Sequence, residues 1–196
     1  MTLNKLQLRT VGLAVALGLG SIAMVGCTTT TANSESSGPS ARAALDRNVD
    51  DTLARLYTTV PGSRELVQRS AGVLVFPAVV GGGFVVGAEY GRGALREGGR
   101  SSAYYSTTEG SIGFQAGGQS KAVVYVFNTQ DSLQKFKNSN GWTAGADATV
   151  AVGKVGANGS VDTQTVQQPV ASFIMTNVGL EVGAAVGAAK IQRINL

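Results

Sequence analysis

The sequence predicts an α+β fold in which N-terminal helices pack on a curved antiparallel β-sheet, forming a sandwich or a partly closed barrel. Two periodicities in chain order carry this reading. Apolar residues recur every three to four positions before Gly72 and roughly every second position after it, so a helical part precedes a sheet. Glycine is the third observation: 27 of 196 residues, close to twice the usual share of about 7%, with 4 prolines and no Gly-X-Y period. The glycines therefore hold positions inside a compact fold, and the length left after the N-terminal segment suits one domain.

Residues 1–26 have the layout of an export signal. Lys5 and Arg9 give a basic start, Val11 to Val25 is an apolar stretch, and small residues lead to Cys27. The stretch is short for a membrane-spanning helix, which needs about 20 apolar residues. Met24-Val25-Gly26-Cys27 resembles a bacterial lipobox, which implies cleavage before Cys27 and a lipid, palmitate included, on its thiol. A buried or free thiol beside an ordinary cleavage site is the alternative. Several acyl chains anchor stably because each buried CH₂ contributes about 0.8 kcal/mol. Thr28, where aspartate would retain a lipoprotein at the inner membrane, points by the same resemblance to the outer membrane, with the domain in the periplasm or at the cell surface.

After Cys27, residues 28–40 (TTTTANSESSGPS) are small and polar and read as a disordered tether reaching about 45 Å when stretched. The domain then occupies 41–196. Ser40 is the expected N-cap of a first helix, with Ala41, Leu45, Val49, Leu53, Leu56 and Val60 on its apolar face and Arg47, Asp51 and Arg55 paired along the other. Pro61-Gly62 stops it, and a short helix over 64–69, capped by Ser63, follows. Strands are predicted at 73–76, 83–90, 103–107, 111–117 and 122–127. A helix over 129–137, capped by Asn128, interrupts them. Further strands are expected at 144–155, 161–166, 170–176, 180–186 and 189–194, with Asn158-Gly159 as a hairpin turn. The repeats Gly83–Gly87, Gly113–Gly117 and Gly179–Gly183 predict glycine stripes along strand faces. A helical Gly-x-x-x-Gly face is disfavoured because Glu89, Tyr90 and Arg92 interrupt the first copy.

Composition and motifs exclude much chemistry. There is no histidine and one cysteine, so neither a disulfide framework nor a Cys/His metal site can form within the chain. Net charge is +4, and +2 without Lys5 and Arg9, too balanced for nucleic acid. Ser132-Leu133-Gln134-Lys135 matches Ser-x-x-Lys but lacks its companion motifs, and Asp46, Asp50 and Asp51 alternate with arginines as a solvated helix face does. No acid, base, nucleophile, metal or cofactor set remains, and the chain is expected not to be an enzyme. Arg92, Arg96 and Arg100 are the densest basic run of the domain. In GRGALREGGR, read as a glycine-rich turn, they are the first candidates to hold an anionic phospholipid headgroup. Arg42, Arg47 and Arg55 are the second.

The runs AGVLVFPAVVGGGFVVGAEYGRGAL, SIGFQAGGQSKAVVYVFN, GADATVAVGKVG and NVGLEVGAAVG, in that order, resemble the SYLF domain family over about 45–194. The resemblance implies a non-enzymatic domain. Eukaryotic members are associated with phosphoinositides, through an N-terminal amphipathic helix, and with actin. Two functions are thereby expected as alternatives: a lipid-binding module of a membrane-anchored envelope lipoprotein, or a structural or protein-interaction domain of the envelope that uses lipid only for attachment. The sequence names no protein partner.

Overall fold

In the computed structural model the described residues are 38–83, 86–112, 119–153, 161–176, 179–180 and 188–196. The expected export signal, Cys27, most of the expected tether and the expected Asn158-Gly159 turn lie outside them. The chain begins with α1 (Pro39–Thr59) and α2 (Ser63–Arg69). Ser40 does not cap α1: Gly38 takes the N-cap position, and Pro39, whose missing N–H is no loss in a first turn, opens the helix. Nor does Ser63 cap α2. It is already helical after a left-handed Gly62, and its Oγ donates to Leu56 O at 3.2 Å, tying the two helices together.

Four long strands follow: β1 (Gly72–Gly83), β2 (Val86–Glu97), β3 (Arg100–Ile112) and β4 (Gln119–Phe127). All four run further than the alternation indicated. β1 continues through Pro77, which sits where the register with both neighbours slips, so its missing N–H interrupts no regular ladder. β2 takes in most of GRGALREGGR, and the turn expected there shrinks to Gly98 and Gly99, with φ of 58° and 81°. Gly93 is not a turn residue. A Cβ there would lie 2.3 Å from Val75 O and 2.6 Å from the Phe76 ring, so glycine permits a close backbone approach. Gly83 and Gly87 prove to be cross-strand partners of β1 and β2, so that copy of the repeat straddles a hairpin and makes no stripe along one strand. The second copy, and the third beyond Leu180, fall outside the described residues.

Next come α3 (Gln130–Asn138), β5 (Trp142–Thr143), β6 (Val150–Val152), α4 (Thr163–Gln167), β7 (Val170–Thr176), β8 (Gly179–Leu180) and β9 (Lys190–Ile194). The cap of α3 is Thr129, whose hydroxyl accepts from Ser132 N. Asn128 instead donates its amide to Gln168 O at 2.7 Å. Of the later strand expectations, 144–155 is met only by β6 and 161–166 fails. Ala144–Asp147 is a turn, in which Ala146 N and Asp147 N both donate to Thr143 O. Residues 161–166 form a bridge and then a helix, because Val161 N bonds Pro61 O, and Val161 and Val166 both reach the core under the helices, which an extended run would not allow.

The sheet order is β5-β9-β3-β2-β1-β4-β7-β6, with β8 also on β7, and it curls into a half-barrel. All pairs are antiparallel except β6 with β7, so the sheet is mixed and the all-antiparallel expectation is corrected there. Both faces of the central strands are apolar. Val73, Val75, Ala122, Val124, Val126, Phe173 and Met175 face Val49, Leu56, Val60 and Leu66 of α1 and α2. Leu74, Phe76, Val123, Tyr125 and Phe127 face the inside of the curl, where Leu133 and Phe136 of α3 and Trp142 close over them. Trp142 is the hub, with Tyr125, Phe127 and Phe136 ring centroids at 5.8, 6.2 and 5.5 Å. Both cores lie within Glu35–Leu196, which forms one compact unit.

Gly93→Ala is expected to destabilise the domain by about 2–3 kcal/mol, because β1 must move off β2 to admit the methyl group. Gly110→Ala, where a Cβ meets nothing within 4 Å, is the near-neutral control. Urea unfolding of both variants makes the comparison, and equal costs would contradict the close approach at Gly93.

Candidate functional site

The side chains with polar or charged reach gather in two places. On β2 the pleat turns Arg92, Ala94 and Arg96 to the face covered by α1. Arg96, whose side chain is 12% exposed, donates through Nη2 to Asp46 O at 3.0 Å and Asp50 Oδ1 at 2.6 Å. Asp46 in turn accepts from Ser101 Oγ at 2.6 Å and Tyr104 OH at 3.1 Å. The guanidinium of Arg42 lies 5.9 Å from the Tyr104 ring centroid, and its Nε donates to Leu196 O. Burial, together with the hydrogen bond to Asp46 and that residue's charge, raises the pKa of the Tyr104 phenol, with Arg42 opposing, so the phenol stays a donor. One helix side is thus clipped to β2, β3 and the C-terminus.

This placement separates the first candidates. Arg92 is half-buried in a cleft of about 180 Å³ against the first turns of α1, Arg96 is committed to α1, and exposed Arg100 opens β3 opposite Glu97. They do not converge on one point. The second candidates are differently arranged. Arg42, Arg47 and Arg55 are exposed, and the expected ion pairs of Arg47 and Arg55 with Asp51 are absent among the described residues. Arg64 and Arg69 of α2 are exposed as well, the former 4.3 Å over the Tyr57 ring. Of the four carboxylates in the helices, Asp46 is turned under α1 and Asp50 is paired with Arg96. Apart from Arg42, which is engaged by Leu196 O, Arg47, Arg55, Arg64 and Arg69 are therefore exposed beside Asp51, Glu65 and the 66% exposed side chain of Asp50.

The second gathering is on the inner face of the curl, and sequence reasoning missed it. Glu89 of β2 and Glu109 of β3 are direct cross-strand partners, an unfavourable juxtaposition by itself. Lys121 of β4 resolves it, with Nζ 2.8 Å from Glu89 Oε2 and 3.4 Å from Glu109 Oε2. All three side chains are at most 21% exposed. Burial pushes the Lys121 pKa down, but hydrogen bonds and charge from the two glutamates outweigh it and hold the group above the ordinary lysine value of 10.5. The three charges come from three different strands, so only the register reveals the cluster. Among the described residues no group of three or more His, Cys, Asp or Glu is placed to hold a metal ion, and no helix is long and apolar enough to cross a membrane.

Residues 108–194 match the model of the Ysc84 family, described as "Las17-binding protein actin regulator". The Ysc84 model corresponds to the SYLF domain, so the resemblance read from the motifs is supported over residues 108–194, whereas its first run, AGVLVFPAVVGGGFVVGAEYGRGAL, lies before the match. The match runs from Thr108 in β3 to the last residue of β9, so it takes in Glu109, Lys121 and the aromatic hub at Trp142. The helical layer and its clip to β2 lie before the SYLF match. No curated protein matches the chain.

Lys121→Met leaves Glu89 and Glu109 opposed without a cation, and a loss of about 2 kcal/mol is expected near neutral pH. Because the folded-state pKa of Lys121 is raised, its contribution is complete below 10.5 and disappears as pH rises through the folded value. The stability difference between parent and variant, measured by urea unfolding across that range, should shrink on the alkaline side. A difference independent of pH would show that lost packing, not charge, is responsible.

Proposed function

We propose that this protein is a non-enzymatic lipoprotein of the cell envelope, anchored in the outer membrane through Cys27, whose SYLF-type domain contacts anionic phospholipid at the surface holding its own anchor. The carrying observation is that Asp46 is turned under α1 and Asp50 is paired with Arg96, which leaves Arg47, Arg55, Arg64 and Arg69 exposed on the helical layer with no carboxylate ion pair among the described residues. Each basic residue near an anionic membrane contributes about 1 kcal/mol. The apolar face of α1 is occupied by the sheet, with Val49, Leu56 and Val60 buried, so the helix cannot insert while it stays packed. Contact by this surface is electrostatic and screened by salt.

Two measurements test the two parts. Metabolic labelling with palmitate should mark the parent and not Cys27→Ala, and an unlabelled parent would end the anchoring claim. Flotation of the domain from Glu35 onward with vesicles containing anionic phospholipid should show binding at low ionic strength. Replacing Arg47, Arg55 and Arg64 by Ala should weaken it by roughly two orders of magnitude. Equal flotation by a folded triple variant would reduce these arginines to solvated surface.

One observation favours a second reading, protein interaction, which also accords with the protein binding in the family's description. Val80 and Tyr90, cross-strand neighbours on the helix-bearing face beyond the reach of α1, are 54% and 46% exposed. A domain that ignores vesicles but loses a protein partner on Val80→Ser and Tyr90→Ser substitution would decide for it.

A further inference from the structure

A cleft of about 340 Å³ opens between α1, α2 and the β2–β3 turn. Its apolar wall is made by Leu53 and Val67, both left half-buried by the helix packing, over buried Val73. Its polar end is Arg96, Tyr57 also lines it, and Gly98 and Gly99 form a rim with no side chains, where even a Cβ would meet nothing within 4 Å. A cavity of about 150 Å³ accommodates benzene, so this one has room for roughly ten heavy atoms.

The polar end is unequally held. The Arg96 guanidinium carries five N–H donors but finds Asp46 O, Asp50 Oδ1 and, at 3.5 Å, Gly99 O, and its buried Nε has no acceptor. Its side chain is fixed at 12% exposure, whereas that of its partner Asp50 is 66% exposed. The carboxylate of Asp50 can therefore swing into solvent while the guanidinium stays, and an incoming anion can take its place on Arg96. Tyr57 is kept a neutral donor chiefly by burial, with Arg64 opposing and Asp50 reinforcing the shift.

We propose that this cleft binds a small amphipathic carboxylate, its acid group exchanging with Asp50 on Arg96 and its apolar body lying along Leu53, Val67 and Val73. The site is separate from the exposed arginine surface and does not depend on Cys27. Binding opens the Asp50 link between α1 and the sheet, but leaves the bonds from Ser101 and Tyr104 to Asp46 in place.

Titration of the domain from Glu35 onward with octanoate, followed by amide and Arg Nε–H NMR signals, tests this. Saturable shifts are expected at Arg96, Gly98, Gly99 and Val67, with a Kd in the low millimolar range accessible to a ligand of this size. Asp50→Asn should tighten binding at least about threefold by removing the competing charge, and Arg96→Gln should weaken it at least about tenfold. Val67→Phe, which fills the cleft without touching the clip, should abolish the shifts and serves if Arg96→Gln does not fold. Octylammonium shifting the same signals equally, no tightening with Asp50→Asn, or octanoate shifts that survive Val67→Phe would each overturn the proposal. Vesicle flotation of Val67→Phe should equal the parent, so failure here is distinguishable from failure of the lipid-surface reading.

Discussion

The structure depends on a sheet that is apolar on both sides. In β1, β4 and β7 successive side chains go alternately to the helices and to the inside of the curl, and Val73–Phe76, Ala122–Phe127 and Val170–Met175 are buried throughout. A strand of this kind cannot sit at a surface, because either face left open would expose side chains each contributing about 1.5–3 kcal/mol on burial. Two different covers answer this. The helices α1 and α2 take one face, and the sheet covers much of the other by curling over α3 and Trp142. The curl needs close strand contacts and interruptions of register, which Gly93 and Pro77 supply. Where the helix cover stops, at Val80 and Tyr90, the same face carries the only large hydrophobic side chains exposed among the described residues.

Charge is placed according to the same two layers. On the helix side, Arg96 is held by α1 itself, through a main-chain carbonyl and a carboxylate, although its buried Nε has no acceptor. Helix packing and ion pairing are thus the same event: without α1, Arg96 would be a charge on a bare apolar face, and without Arg96, Asp46 and Asp50 would be acids on a helix otherwise rich in arginine. On the inner side the long strands bring two glutamates together, and a third strand brings the lysine that makes the arrangement tolerable. Such pairs add little net stability compared with apolar replacements but penalise any other register strongly. The register of β2, β3 and β4 is therefore defended at both ends, by Arg96 near the Gly98–Gly99 turn and by Lys121 at the other.

Fold class was legible because the change of period at Gly72 is sharp and the apolar face of α1 is complete. What could not be read has particular causes. Glycines in a strand and glycines in a turn are the same letters, so GRGALREGGR suggested a loop. Only the approach of Val75 O to Gly93 distinguishes the two. Residues 161–166 alternate as a strand does, but their hydrogen bond to Pro61 is a tertiary fact that local pattern does not contain. Caps slipped by one or two residues for a related reason: at α1 and α2 a glycine holds the cap position and the neighbouring serine is inside the helix. The arginines were correctly found as the basic features of the domain, but their ranking followed density in sequence, whereas exposure follows the pleat of β2.

That reversal bears on how a domain of this kind meets a charged surface. Arg92 and Arg96 share the face of β2 that α1 covers and Arg100 begins β3, so three arginines within nine residues yield one fixed in a helix clip, one in a cleft and one exposed. A helix lying on a sheet behaves oppositely. Its inner acids are drawn to donors on the strands, as Asp46 is to Ser101 and Tyr104, and the outer face keeps the bases. The packing thus turns Asp46 inward and ties Asp50 to Arg96, and the contacts that hold α1 in place add to the outward positive charge of the layer. Loosening the clip would release Asp46 and Asp50 to the arginines and cancel part of that charge, so the positive surface belongs to the packed state of the helix and not to its sequence alone.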